Sequence, residues 1–427
     1  MTIYNIKPLL LIGVNRTKYR NKINFSSFTI EICQQENYYS KLFINSLAII
    51  FYFSPYSLLP IPYSLIEMIA NTISTPKAPS VREPKLWMPE RVLFTPAALD
   101  ERWGQQILKR LQSYNLPIEE LPRNRLTGLR GESERETYDI AKRTLAVVTA
   151  PPSSFKLSPI PPSADWQFHI AEGCPAHCQY CYLAGSLQGP PVIRVFANLP
   201  QILENLAAYE QPGKATSYEA SCYTDPLGIE HLTGSLAECI RYFGTRERAY
   251  LRCVSKFDAV DELLEIPHNG HTRFRMSVNA APVSGRFEGG TASVPLRLMA
   301  LRKLALPQER GGGGYPVGLV IAPIMLLDDW QSSYDRLFNQ ISEALDFDCD
   351  LTFELISHRF TPGSKEVLQT WYPQSKLDMD EEKRSVKRNK FGGTKYVYDA
   401  DTMKTLRRYF ENEIQRRFPK AKILYWT

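Results

Sequence analysis

Gly173-Cys174-Pro175-Ala176-His177-Cys178-Gln179-Tyr180-Cys181-Tyr182 is the stretch on which the reading of this chain turns. Its cysteines, spaced Cys-x3-Cys-x2-Cys, offer soft thiolates for three corners of a four-iron cluster and leave the fourth iron to a ligand that is not protein. Zinc is a competing occupant, with His177 or a distant cysteine completing a closed four-coordinate site. Small buried core residues are the third reading of the same thiols.

Outward from this loop, strand patterns at 216–222, 250–256, 272–279, 317–322 and 350–356 alternate with helix patterns at 233–243, 294–306 and 330–346. That alternation predicts parallel β/α units with a site at the C-terminal strand ends. Roughly six units are present, so the expected fold is α/β, an incomplete (β/α)6-type barrel. Upstream, Asp100–Tyr114 has amphipathic helical spacing and 143–150 the look of a buried strand. Downstream, Met403, Leu406, Phe410 and Ile414 mark one face of a long helix before a short apolar tail strand. The boundaries are an atypical N-terminal extension over 1–80, an α/β region over 81–163, the barrel over 164–370 and a basic hairpin and helix region over 371–427.

The 427 residues are 44% hydrophobic and 22% charged, enough for a substantial core. A net charge of +6 is compatible with a polyanionic partner. Eight cysteines show no disulfide framework, which fits a reducing cytoplasm. Residues 42–66 carry no charge, but Pro55, Pro60 and Pro62 break the register that a spanning helix needs. The extension reads instead as poorly ordered chain, or as translation upstream of a start at Met68 or Met88, and no stable membrane partner is expected.

Several residues outside the loop suit site chemistry. Along Arg273–Asn279, Phe274, Met276 and Val278 alternate with Ser277 and Asn279, placing polar groups on one side of a buried strand. Lys256 follows an apolar strand and suits a carboxylate. Lys383-Arg384, Lys387-Arg388, Lys390 and Lys395 form a basic run around Phe391 and Gly392-Gly393, the composition of a phosphate-binding turn with an aromatic tip.

The cysteine spacing, with an aromatic residue directly after the last thiol, resembles the radical S-adenosylmethionine superfamily. From Pro89 to the C-terminus the chain further resembles the spore photoproduct lyase family. The matching blocks include Gly173–Leu183, Pro191-Val192-Ile193-Arg194, Tyr218-Glu219-Ala220-Ser221-Cys222, Gly228-Ile229-Glu230-His231-Leu232-Thr233, Gly318–Pro323, Phe353-Glu354-Leu355-Ile356 and Lys395-Tyr396-Val397-Tyr398. The resemblance implies a 4Fe-4S cluster on Cys174, Cys178 and Cys181, with S-adenosylmethionine contacted by Lys256, Ser277 and Thr224, to which the strand alternation adds Asn279. It implies Cys222 as hydrogen-atom donor and Tyr180 and Tyr182 as the residues that return the radical.

The implied reaction converts 5-thyminyl-5,6-dihydrothymine in DNA back to two thymines through a 5′-deoxyadenosyl radical. Its partners are lesion-bearing DNA and an electron donor such as flavodoxin or ferredoxin. DNA contacts are expected at Lys387, Arg388, Lys390 and Phe391. This chain departs from the family at Thr224, where serine is usual, at Tyr223, and at the hairpin tip Arg388-Asn389-Lys390-Phe391-Gly392. These departures keep open a related radical enzyme for another nucleic-acid lesion or modified base. A non-catalytic DNA-binding protein would have no use for the thiol set.

Overall fold

In the computed structural model the described residues are 21–25, 28–34, 39–44, 47–52, 86–187, 189–388 and 393–427. The chain divides into two compact units, Met1–Arg82 and Glu83–Thr427. In the first, Asn21–Phe25, Phe28–Gln34, Tyr39–Ile44 and Leu47–Tyr52 pair in chain order as an antiparallel meander. The proline-broken part of the uncharged stretch, 53–66, lies outside the described residues.

The second unit is built on an eight-stranded sheet. Seven of its strands are parallel: β1 (Ala164–Phe168), β2 (Thr216–Ala220), β3 (Ala249–Ser255), β4 (Thr272–Val278), β5 (Val317–Ile324), β6 (Leu351–Ser357) and β7 (Lys422–Trp426). They lie side by side in chain order, and Ser158–Ile160 closes the β1 edge as an antiparallel strand. The sheet ends at β7 without returning to β1, so the expected incomplete barrel is the fold observed.

The outer face of this sheet is apolar and helix-covered. Phe274, Met276 and Val278 of β4 are fully buried. The helix Ala400–Arg417 shows how sequence directs this packing. Asp399 caps it by accepting from the Thr402 amide at 2.9 Å, and Arg416 and Arg417 oppose the dipole in its last turn. Leu406, Phe410 and Ile414, spaced by four, form its buried stripe, while Met403 is half-buried. The Phe410 ring meets Tyr334 at 4.9 Å and Trp426 of β7 at 5.8 Å. Each such side chain contributes roughly 1.5–3 kcal/mol by burial.

The inner face is charged. Arg275 of β4 pairs with Glu219 of β2 and with Glu354 of β6, while Arg252 of β3 reaches Glu354 from the other side. Tyr425 of β7 donates to Glu354 at 2.6 Å. Room for the Arg275 stem comes from Gly318, whose missing Cβ would sit 2.9 Å from Arg275 Cγ and 2.7 Å from Thr352 Oγ1. Such a network is costly to desolvate and destabilising to break, so it fixes strand positions more than it adds net stability.

A second, five-stranded sheet runs in the order Ala171–Glu172, Ile193–Phe196, Thr144–Val148, Arg91–Phe94 and Ile118–Glu120. Ala171–Glu172 follows β1 closely, so the chain enters the cysteine loop directly from this sheet. Among the described residues no helix is long and apolar enough to cross a membrane.

Candidate active site

The cysteine loop is anchored at both ends. Gly173 has φ +77°, and a Cβ there would lie 2.2 Å from the Val192 carbonyl, so only glycine fits this entry. His177–Cys178 pairs antiparallel with Glu288–Gly289, and the Gln179 amide donates to the Phe287 carbonyl at 2.8 Å. From the five-stranded sheet side, buried Lys142 donates its ammonium to the carbonyls of Cys174 and Ala176.

The three thiols are unbridged. Burial pushes Cys174 up to about 12 against the pull of Lys142, and it raises Cys178 and Cys181 as well. Lys142 is itself lowered by burial, and all three sulfurs act on it in the opposite sense. One ammonium therefore lies within electrostatic reach of the whole triplet. Among the described residues no three His, Cys, Asp or Glu side chains close on a single point as one metal ion would require. His177 holds Nδ1 against the Tyr138 hydroxyl at 2.8 Å. Three thiols on one loop are a donor set that a 4Fe-4S cluster would use, each cysteine serving a different iron.

Facing the loop are the C-terminal ends of β2, β3 and β4. Ser221 turns the chain out of β2 with φ +55°, a left-handed conformation that a serine adopts only when its surroundings impose it. Its amide donates to the Phe168 carbonyl at 2.7 Å, and its hydroxyl accepts from the Ile170 amide at 3.0 Å. Cys222 follows, half-buried, its thiol pushed up by burial and then by Glu219. Thr224 is next in the same turn, and its buried hydroxyl has no hydrogen-bond partner among the described residues.

Asp225 ties this turn to β3 by accepting from the Ser255 hydroxyl and the Lys256 amide, both at 2.7 Å. The Lys256 ammonium donates to the Ser277 hydroxyl on β4 and lies 3.9 Å from Glu288. Lys256, Ser277 and the unpaired Thr224 hydroxyl thus stand on three neighbouring strand ends. A cation with a hydroxyl partner, and an orphaned hydroxyl on the neighbouring strand end, are a donor set suited to an amino-acid carboxylate and a polar cofactor edge.

Asn279, grouped by sequence with the cofactor contacts, is placed otherwise. Its Oδ1 accepts from Tyr334 at 2.9 Å and its Nδ2 donates to the Pro323 carbonyl at 2.7 Å. With both ends of the amide engaged and the residue fully buried, the side chain braces β4 against β5.

Two tyrosines of the loop reach in different directions. Tyr182, 64% exposed, donates its hydroxyl to the carbonyl of Cys222. Tyr180 donates to Glu288, which Arg297 also holds. Burial would raise Glu288, but Lys256 and Arg297 outweigh it and leave the carboxyl below its usual range. The Lys256 ammonium lies 5.8 Å from the Tyr180 ring centre. Glu288, Arg297, Lys142 and Asp225 were not singled out in the sequence. Only the carboxylate after Phe287 and the lysine within Ala141-Lys142-Arg143 mark the first and third there, and neither has a spacing that points to the loop.

The basic run divides. Lys383 pairs with Asp380 at 3.4 Å, and Arg384 turns inward to the His358 carbonyl and lies 4.0 Å over the Tyr398 ring. Lys387 and Arg388 are exposed on Ser385–Arg388, which pairs with Thr394–Val397 as a hairpin. Lys390 and Phe391 lie outside the described residues.

Known proteins match this arrangement over its whole second unit. The family model described as spore photoproduct lyase matches residues 87–427. A spore photoproduct lyase from a Geobacillus species is 40% identical over 349 residues, covering 80% of this chain and 100% of that protein. One from Bacillus subtilis is 38% identical over 346 residues, covering 80% and 99%. A solved structure of a spore photoproduct lyase mutant with bound AdoMet and dinucleoside spore photoproduct superposes with a TM-score of 0.75 at 38% identity, covering 80% of this chain and all of that one. By sequence and by fold, the chain belongs to the spore photoproduct lyase family.

Proposed function

We propose that this chain is a radical S-adenosylmethionine lyase that converts the methylene-bridged thymine dimer of DNA, 5-thyminyl-5,6-dihydrothymine, back to two thymines. The observation that carries this reading is the meeting of a three-thiol loop with strand ends that bear the Lys256–Ser277 pair, an unpaired Thr224 hydroxyl, and Cys222 tied to the loop through Tyr182. Cys174, Cys178 and Cys181 would hold a 4Fe-4S cluster, which with S-adenosylmethionine would supply the 5′-deoxyadenosyl radical chemistry needed to open the bridge.

The chain's own residues divide the remaining work. Lys256, Ser277 and Thr224 hold the methionine end and the polar edge of S-adenosylmethionine, with Asn279 supporting them through the strand end. Cys222 gives the hydrogen atom of its S–H bond to the thymine methyl radical, so a C–H bond forms and the unpaired electron is left on sulfur. Tyr182 restores the thiol by giving up its O–H hydrogen, and Tyr180, with Glu288 at its hydroxyl, gives its own O–H hydrogen to Tyr182 and takes one back from the methyl group of 5′-deoxyadenosine. Lys387 and Arg388, exposed on their hairpin strand, contact the DNA backbone together with Lys390 and Phe391 of the same basic run. The one-electron reductant is a separate protein of the flavodoxin or ferredoxin type. The testing experiment incubates anaerobically reconstituted protein with S-adenosylmethionine, reductant and a dinucleotide containing the spore lesion, and measures thymidylyl-thymidine.

A further inference from the structure

Tyr223 follows Cys222 just past the end of β2. Its ring is stacked on His169, which follows β1, with ring centres 4.7 Å apart and planes 26° from parallel. The two strand ends are clipped together by the bonds from Ser221 to Phe168 and from Ile170 to Ser221. The stack is therefore fixed on the turn that carries the thiol, one residue beyond it. Burial lowers the His169 pKa to about 4, and its Nδ1 has no partner among the described residues, so the imidazole serves as a neutral flat surface. Neither ring has a part in the chemistry assigned to Cys222, Tyr180 and Tyr182.

We propose that Tyr223, held in place by His169, is a specificity-determining residue: an aromatic wall that packs on the pyrimidine ring and keeps its methyl carbon at the Cys222 thiol. The thiol offers one hydrogen atom at one point in space, while a base freed from its bridge is linked to the site only through its sugar. A flat ring next in sequence to the donor restrains that base, because every base presents a π-face to an aromatic side chain. His169 is a positioning residue, acting through Tyr223. This inference rests on the lyase reading above.

The test compares Tyr223→Ala, Tyr223→Leu, Tyr223→Phe, His169→Ala and His169→Phe in the reconstituted full chain with dinucleoside spore photoproduct. Two quantities are read, KM for the lesion and S-adenosylmethionine consumed per lesion repaired. Tyr223→Ala and Tyr223→Leu raise KM about tenfold and raise cofactor consumption per repair, whereas Tyr223→Phe restores both because the ring remains. His169→Ala moves both quantities in the same direction, and His169→Phe restores them. Tyr223→Ala or Tyr223→Leu with wild-type KM and wild-type consumption overturns the proposal. So does His169→Phe matching His169→Ala, since the nitrogen and not the ring would then be at work. Absence of turnover by the unaltered protein sinks the lyase reading itself, whereas turnover with unresponsive Tyr223 variants sinks only this inference.

Discussion

The hydroxyl of Tyr182 donates to the main-chain carbonyl of Cys222, joining the cysteine loop to the strand end that carries the thiol. Removing it in Tyr182→Phe costs about 0.5–1.5 kcal/mol of interaction, too little to unfold the protein. Repair slows, and S-adenosylmethionine is consumed in larger amounts per lesion, because the radical on sulfur loses its route back. Product analysis by chromatography checks this; unchanged cofactor consumption would remove Tyr182 from the return path.

Thr224 gives a sharper separation of binding from stability. Its hydroxyl is buried and unpaired, so Thr224→Val replaces an unsatisfied group by an apolar one of the same shape, which is neutral or stabilising. The expected pair of results is a melting temperature that is unchanged or higher, with S-adenosylmethionine binding weakened about tenfold. Calorimetric titration and thermal denaturation on the same samples measure both. Binding that keeps its affinity would show that the hydroxyl is no cofactor contact.

Glu230 supplies a pH-dependent term away from the site. The carboxylate accepts from the amides of Leu236 and Ala237 at 2.7 and 3.0 Å, yet burial holds its pKa up at about 7 from an ordinary 4.5. The folded state then binds more protons than the unfolded one across that interval. The contribution is fully present below pH 4.5 and is lost as pH rises through about 7. Relative to Glu230→Gln, the wild-type protein should lose about 1–3 kcal/mol of stability between these limits, measured by denaturant unfolding at several pH values. Parallel pH profiles for the two proteins would contradict the assignment.

How far the sequence alone reaches follows from these same residues. The parallel strands from β2 to β7 were legible as short runs rich in apolar residues, and the long C-terminal helix because Leu406, Phe410 and Ile414 recur by fours; β1, Ala-Asp-Trp-Gln-Phe, has no such run and was missed. The charged inner face was not, since Glu219, Arg275 and Glu354 are far apart in sequence and meet only when the strands curl. Asn279 shows the limit of alternation: parity put it with Ser277, but its amide is taken up by Tyr334 and Pro323. The run at Lys383 and Arg384 misled for a related reason, because consecutive cations need not share a face. Arg384 packs over Tyr398 while Lys387 is exposed.

The inner-face network also sets an expectation for the tail strand. Tyr425 donates to a Glu354 oxygen that Arg275 also holds. Tyr425→Phe leaves that carboxylate with one hydrogen bond fewer in a buried setting and costs about 1–3 kcal/mol. Arg275→Met strands two buried carboxylates and costs about 3–5 kcal/mol or prevents folding. Urea unfolding monitored by circular dichroism ranks the two; equal losses would mean that the strands are held by apolar packing alone.

The central claim is that one site joins the three-thiol loop to a hydrogen-donating Cys222 for repair of the methylene-bridged thymine dimer. Its most direct test is turnover of a dinucleotide containing the spore lesion by the reconstituted full chain and by Cys222→Ala, with S-adenosylmethionine and reductant. The account predicts thymidylyl-thymidine from the unaltered protein, and from Cys222→Ala bridge cleavage without normal hydrogen return to the thymine methyl. Normal product in normal yield from Cys222→Ala would contradict it, as would no product from the unaltered protein while another lesion is turned over.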